Sequence, residues 1–396
     1  MKLYKNLVNA VAQTLQEIFV KNRYADKAIE KVFKLNPQWG SRDRRFVAEA
    51  VYDIVRNYRR YAELAQTQNN FWFITAVWLV VKEIEFPDWQ EFKDLDRDAI
   101  IQQNEQLKNN LPVYESYPDW LWELGIKELG EESWTKEAIA MNQQALVVLR
   151  ANTLKTTVKK LTEEFAKTNT ILNKIEGVEN AVFLSKRENV FQTNAFKLGW
   201  FEVQDAGSQQ ISSFLNPKPN QFIIDACAGA GGKSLHIAAL MNNKGKLISM
   251  DVESFKLEEL KKRAKRAGVF NIETRTIEDA KTIKRLEGKA DKLLLDVPCS
   301  GTGVIKRNPD TKWKLTSEVI ERTKQLQQKI LSEYSQMVKP DGELVYSTCS
   351  ILPSENKLQV DLFLLKHPNF EFIKDKTILP SQGFDGFYMA LLKRKM

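Results

Sequence analysis

At 396 residues the chain exceeds what one ordinary compact core holds, so two or three domains are expected, and a composition of 43% hydrophobic and 28% charged residues excludes a disordered or fibrous chain. The formal charge of +8 suits a polyanionic partner, although plain solvated surface carries a similar surplus. The three cysteines, Cys227, Cys299 and Cys349, lie far apart without CxxC spacing and beside only two histidines, His236 and His367, which argues against a disulfide framework and a structural zinc site; no metal is expected.

In chain order, Leu3, Leu7, Val11, Leu15 and Ile18 recur at helical spacing, which predicts an amphipathic helix over residues 1–24 rather than a signal peptide. Gly40-Ser41 reads as a loop and N-cap opening a helix that buries Phe46, Ala50, Tyr52, Ile54 and Val55. Arg42, Arg44, Arg45, Arg56, Arg59 and Arg60 crowd this region, as a solvated face or a phosphate-contacting one. The apolar run Phe71 to Val81 is too short to cross a bilayer and reads as a buried core helix, so a cytoplasmic chain without a membrane partner is expected. Residues 1–142 are thus expected to form an all-helical domain.

From Val147 the pattern changes. Val147-Val148-Leu149 and Ala181 to Leu184 read as strands around a helix from Thr156 to Ala166, a small α/β (RRM-like) module over 143–215 that ends at the breaker cluster Asn216-Pro217-Lys218-Pro219. In 216–396, strands at Phe222–Ala226, Lys246–Met250, Ile272–Thr276, Lys292–Val297 and Glu343–Ser347 alternate with helices at Ser234–Met241, Ser254–Ala267 and Ser317–Val338. Such alternation implies a doubly wound, Rossmann-like, mostly parallel sheet with ligands at the carboxyl ends of its strands.

The first of those strand ends carries Asp225-Ala226-Cys227-Ala228-Gly229-Ala230-Gly231-Gly232-Lys233-Ser234, and glycines at a strand-to-helix turn let a ligand approach the backbone and the helix N-terminus. A Walker A loop needs glycine where Cys227 stands, and the dinucleotide fingerprint needs glycine or alanine where Ser234 stands. Asp251, ending the next strand, can accept hydrogen bonds from both hydroxyls of a ribose, which points to NAD or S-adenosylmethionine. Asp296-Val297-Pro298-Cys299-Ser300 and Ser347-Thr348-Cys349-Ser350 follow two further strands, placing two cysteines on the same ligand-binding edge. A single cysteine is more often a small buried hydrophobe; two on one edge, one beside an aspartate, favour chemistry.

These motifs resemble the Sun/Nop family of RNA cytosine-5 methyltransferases. So do Gly301 to Asp310 with Trp313, Leu149 to Leu154 and Val203 to Gln209, and the likeness runs from Val147 to the C-terminus. The helical part, with Ser41-Arg42-Asp43-Arg44, is similar to the NusB-like RNA-binding domain of the family's bacterial ribosomal branch. The family usually has Ala-Pro where this chain has Gly229-Ala230, a loosening of the turn that keeps its glycines and Lys233.

The resemblance implies S-adenosylmethionine as cofactor, with Cys227, Ala228, Gly229, Ala230, Gly231, Gly232 and Lys233 around its methionine part, Asp251 on the ribose and Asp279 toward the adenine or ribose edge. It implies Cys349 as the nucleophile that adds to carbon 6 of cytosine, Asp296 on the base edge beside the cofactor, and Cys299 assisting release. Lys306, Arg307 and Trp313 are candidate RNA contacts; Trp313 could equally be core, and Asp279 could be a plain loop cap. The expected partner is RNA with a single-stranded or flipped-out cytosine, met by a monomer. The helical part directs that expectation to 16S ribosomal RNA. A transfer RNA methyltransferase and a non-catalytic RNA-binding assembly factor are the alternatives, while a nicotinamide enzyme would leave both strand-end cysteines without a role.

Overall fold

The computed structural model describes residues 3–396, so the start of the helix expected over 1–24 lies outside the described residues. The chain forms two compact units: one runs to Gln143 and also takes in Ile305–Thr316, and the other comprises Gln144–Val304 and Ser317–Met396.

The first unit is helical throughout its described residues. Helix Lys5–Phe19 buries Leu7, Val8, Val11, Leu15 and Ile18 along one face. It packs on helix Ser41–Arg56 and on helix Phe71–Val81, which is apolar nearly all round and is capped by the Asn70 side chain accepting from the Phe73 N–H at 3.1 Å. Helix Ser41–Arg56 turns Val47, Ala50, Val51, Ile54 and Val55 into the core, while Phe46 and Tyr52, expected there, are half-buried.

The arginine cluster divides by burial. Arg44 donates to the Trp39 carbonyl, Arg56 to the Lys306 carbonyl, Arg59 to the Tyr117 carbonyl and Asp119, and Arg60 to Asn104 while lying over the Tyr114 ring. These four tie the unit together, and only Arg42 and Arg45 of the group are exposed.

Ile305–Thr316 is bound into the same core. Asp310 accepts from the Ala25 N–H at 3.0 Å, capping helix Ala25–Leu35 from far along the chain. Lys312 is fully buried and donates to the Arg56 carbonyl at 2.7 Å, the Glu115 carbonyl at 3.2 Å and Asn142 Oδ1 at 2.9 Å, with the Tyr117 ring 4.3 Å from its ammonium. Burial, then the Arg56 charge, hold its amine well below the usual lysine range against the pull of Glu115. Trp313 donates to the Val55 carbonyl at 2.6 Å and meets Tyr58 edge-on at 5.5 Å. Of the residues expected to contact RNA, Lys306 is 5% exposed and Trp313 is half-buried with its N–H engaged in this core. Arg307 is half-buried.

The second unit holds two sheets. Strands β1 (Val148–Ala151), β2 (Leu172–Lys174), β3 (Ala181–Leu184) and β4 (Phe201–Val203) form an antiparallel sheet in the order β2-β3-β1-β4, backed by helix Val158–Ala166 with Thr157 as its N-cap. Strands β5 (Phe222–Asp225), β6 (Lys246–Asp251), β7 (Ile272–Thr276), β8 (Ala290–Asp296), β9 (Val338–Thr348), β10 (Phe370–Ile378) and β11 (Phe387–Arg394) form the second, in the order β10-β11-β9-β8-β5-β6-β7. Strands β5 to β9 are parallel, while β10 and β11, which the sequence reading did not anticipate, add an antiparallel edge. The strand order reverses between β5 and β8, the switch point at which doubly wound sheets bind ligands. Asn216, expected at a boundary, ends helix Ala206–Leu215 in the left-handed conformation, and the compact unit continues unbroken past it.

Truncation of Trp313 to alanine should therefore destabilise the helical unit by about 3–5 kcal/mol in a urea titration. Arg42→Ala, on the exposed face, should stay within about 0.5 kcal/mol of the parent.

Candidate active site

The site grows from the carboxyl ends of β5, β6, β8 and β9. Asp225 ends β5 at 1% exposure; its Oδ2 accepts from Ser234 Oγ at 2.6 Å, Ser249 Oγ donates on to Ser234 at 2.9 Å, and Oδ1 has no partner. Burial pushes its carboxyl up to about 7, opposed by the Ser234 hydrogen bond and helped by the Asp296 charge.

Beyond Asp225 the backbone passes through two left-handed positions, Gly229 at φ 53° and Gly231 at φ 87°, before helix Gly232–Leu240 begins. A side chain at Gly231 would meet Leu260 Cγ at 2.5 Å, whereas at Gly229 it would enter open space. Two arginines brace the turn from outside: Arg263 donates to the Ala230 carbonyl and Arg150, from β1, to the Gly232 carbonyl, each at 2.7 Å. Glu202 on β4 holds Arg263 in place at 2.9 Å.

Asp251, 8% exposed at the end of β6, accepts from the Gly229 N–H at 2.8 Å through Oδ2 and from the Glu253 N–H at 2.9 Å through Oδ1, leaving a second lone pair on each oxygen. Open space at Gly229 beside a carboxylate with acceptor capacity fits a ligand that carries a ribose diol. Asp279 is exposed, and its Oδ1 accepts from the N–H of Thr282 at 3.1 Å, capping the short helix Ala280–Lys284.

In β8 and β9, Asp296 stands opposite Ser347, so the loops carrying Cys299 and Cys349 leave the sheet side by side. Their sulfurs are 3.0 Å apart, and the Cys349 N–H points at Cys299 Sγ at 3.2 Å. Asp296 accepts from Lys233 Nζ at 2.5 Å and from Ser347 Oγ at 2.9 Å. Burial pulls the Lys233 amine down, but the Asp296 carboxylate and the sulfur of Cys349 more than offset it, so the ammonium is held charged. Cys299 is pushed well above the usual thiol range by its hydrogen bond to Cys349, by burial and by charge on Cys349, so it keeps its proton at neutral pH.

Cys227 to Lys233, Asp251, Asp296, Cys299 and Cys349 therefore line one strand-end edge, while Lys306 and Trp313 belong to the helical core. The sequence reading passed over Ser234 and Ser347, whose hydroxyls donate to Asp225 and Asp296, and Gln327, Glu355 and Asn356, which bond to the cysteine loops. Among the described residues no acidic, histidine or cysteine cluster could hold a metal ion, and no helix is long and apolar enough to cross a membrane.

Comparison with known proteins matches residues 212–393 to the family described as 16S rRNA methyltransferase RsmB/F, and residues 117–191 to an RsmF/B-like ferredoxin-like domain. A probable ribosomal RNA small subunit methyltransferase B from Synechocystis is 30% identical over 96% of this chain and 97% of its own length. A probable enzyme of the same description from Bacillus subtilis is 33% identical over 71% of this chain and 67% of its own. The crystal structure of PH0851 superposes with a TM-score of 0.81 at 26% identity, covering all of both chains.

Because Asp225 binds its proton more tightly folded than unfolded, its contribution to stability is complete below the ordinary aspartate range near 3.8 and is lost as pH rises through about 7. Asp225→Asn should flatten that dependence. In thermal melts from pH 5 to 8, the parent should lose more stability with rising pH than the variant, by about 2.5–3 kcal/mol.

Proposed function

The chain belongs to the RsmB/F family of 16S ribosomal RNA methyltransferases, and we propose that it transfers a methyl group from S-adenosylmethionine to carbon 5 of a cytosine in that RNA through a covalent cysteine adduct. The observation that carries this reading is the pair of touching thiols at the carboxyl ends of two paired parallel strands: Cys349 lies 3.0 Å from Cys299, which retains its proton.

Carbon 5 of cytosine is too weak a nucleophile to accept a methyl group unaided. Addition of the Cys349 thiolate to carbon 6 breaks the 5,6 double bond and places its electron pair on carbon 5. The Asp296–Lys233 pair faces the base as charge moves onto its ring, Asp296 hydrogen-bonding the base edge. When bound, S-adenosylmethionine supplies an electrophilic methyl group. Once carbon 5 is methylated, its proton passes to water, the 5,6 double bond re-forms and the carbon 6–sulfur bond breaks with its electron pair returning to Cys349; Cys299, in contact with Cys349, assists that release.

The backbone of Cys227 to Lys233 would hold the methionine part of the cofactor, Asp251 its ribose and Asp279 the adenine edge. Open space at Gly229 and the spare lone pairs of Asp251 support this assignment. We read the helical unit as a NusB-like RNA-binding domain, with exposed Arg42 and Arg45 and half-buried Arg307 as the remaining phosphate contacts. The target base must be unpaired or flipped to reach a sulfur at a strand end. The chain is read as a cytoplasmic monomer, consistent with a ribosomal RNA substrate.

Cys349→Ala should abolish methylation of small-subunit RNA, read by bisulfite sequencing. Cys299→Ala should let a covalent protein–RNA complex accumulate on denaturing gels. If Cys299→Ala instead prevents adduct formation while Cys349→Ala permits it, the two roles are exchanged and the mechanism is wrong.

A further inference from the structure

Glu355 and Asn356 are adjacent, 0% and 3% exposed, in the turn that follows the Cys349 loop. Glu355 Oε1 accepts from the Ser300 N–H at 2.8 Å and from Gln327 Nε2 at 3.1 Å, and Oε2 accepts from Ser300 Oγ. Gln327 Nε2 also donates to the Pro298 carbonyl at 2.9 Å. Both chain neighbours of Cys299 are thus held by one buried carboxylate and the amide bonded to it. Asn356 treats Cys349 in the same way: Oδ1 accepts from Thr348 Oγ at 2.5 Å, and Nδ2 donates to the Ser350 carbonyl at 2.9 Å. Tyr346, in β9, donates its hydroxyl to the Glu355 carbonyl at 2.7 Å, fixing the dipeptide to the strand that delivers Cys349.

We propose that Glu355 and Asn356 are positioning residues that hold the two cysteine loops at thiol–thiol contact, so that attack by one sulfur and release assisted by the other occur at one place. This rests on the covalent reading above. Neither side chain hydrogen-bonds a sulfur, although the Glu355 charge helps to raise the Cys299 thiol; each positions the loops through the residues that flank the cysteines. A buried carboxylate facing only donors and a buried amide using both a donor and an acceptor are costly to place unless each bond is made. The polarity of the bonds therefore predicts unlike outcomes for two substitutions of equal shape. Gln at 355 keeps an oxygen for the Ser300 and Gln327 donors and turns an amide toward Ser300 Oγ, a hydroxyl able to accept it. Asp at 356 has no donor for the Ser350 carbonyl and sets an oxygen against it.

The test uses the full chain carrying E355Q or N356D and two readouts. Diamide takes two hydrogens from the Cys299 and Cys349 thiols, forming one S–S bond and leaving the reagent as the hydrazine; the rate is followed by the mass of the linked peptides and reports thiol contact without RNA or methyl donor. E355Q should close within about threefold of the parent rate and N356D at least about tenfold more slowly, the scale of one buried hydrogen bond. In methyl transfer N356D should lower kcat at least about tenfold with the KM for S-adenosylmethionine unchanged, because the glycine turn is untouched. Should N356D not fold, Thr348→Val carries the same expectation, since it removes the hydroxyl that Asn356 accepts and preserves side-chain shape. Parent-like closure in N356D or Thr348→Val, or equal slowing in E355Q and N356D, overturns the proposal. Slowed closure in N356D from a chain that methylates no RNA sinks the cytosine reading and, with it, the roles in attack and release, while the positioning of the two thiols stands.

Discussion

The parallel pairing of β8 with β9 is what the rest of the site depends on. Because Asp296 and Ser347 share a register position, the two loops that leave those strands are brought together, and sulfurs far apart in sequence come to lie 3.0 Å from each other. In a parallel pair both chains exit the sheet at the same edge, so this meeting needs no dedicated connection. Their nearness, with burial, also keeps the proton on Cys299.

The glycine turn on the same edge follows different physics. Gly229 and Gly231 take positive φ, a backbone path with little stiffness of its own. Stiffness comes from outside: Arg150 reaches in from the small sheet and Arg263 from helix Ser254–Ala267, and each hydrogen-bonds a carbonyl of the turn. Buried Glu202 accepts from both Arg263 and Arg266, so the small antiparallel sheet supports the glycine turn as well as forming its own core.

In the helical unit the same chemistry serves cohesion. Residues 305–316 contribute a cap, a buried lysine and an indole N–H to that core, and four of six clustered arginines are used on backbone carbonyls and side chains within it. Net charge is thus a poor guide to which cations face a polyanion, because a guanidinium with several donors is also an efficient tie between helix ends and loops.

The elements readable from the sequence were those whose signal is local. The apolar run Phe71–Val81, the amphipathic helix Ser254–Ala267 closed by Gly268, and β7 at Ile272–Thr276 have the bounds expected of them, because periodicity and turn chemistry act over a few residues. The strand-end positions of Asp251, Cys299 and Cys349 followed from the same reading. Strands β10 and β11 escaped it: β10 is a solvated edge rich in lysine and acid that reads as loop, and β11 is buried along most of its length and lacks alternation. Glu355 and Asn356, the pairing of Asp296 with Lys233, and the burial of Lys306 and Lys312 were equally silent. By itself the sequence determined which segments become strands and helices and which chemical groups stand at strand ends. Which of those groups touch, which keep a proton and which are enclosed was decided by tertiary structure, because hydrogen-bond partners and desolvation come from residues distant in the chain and leave no mark on local pattern.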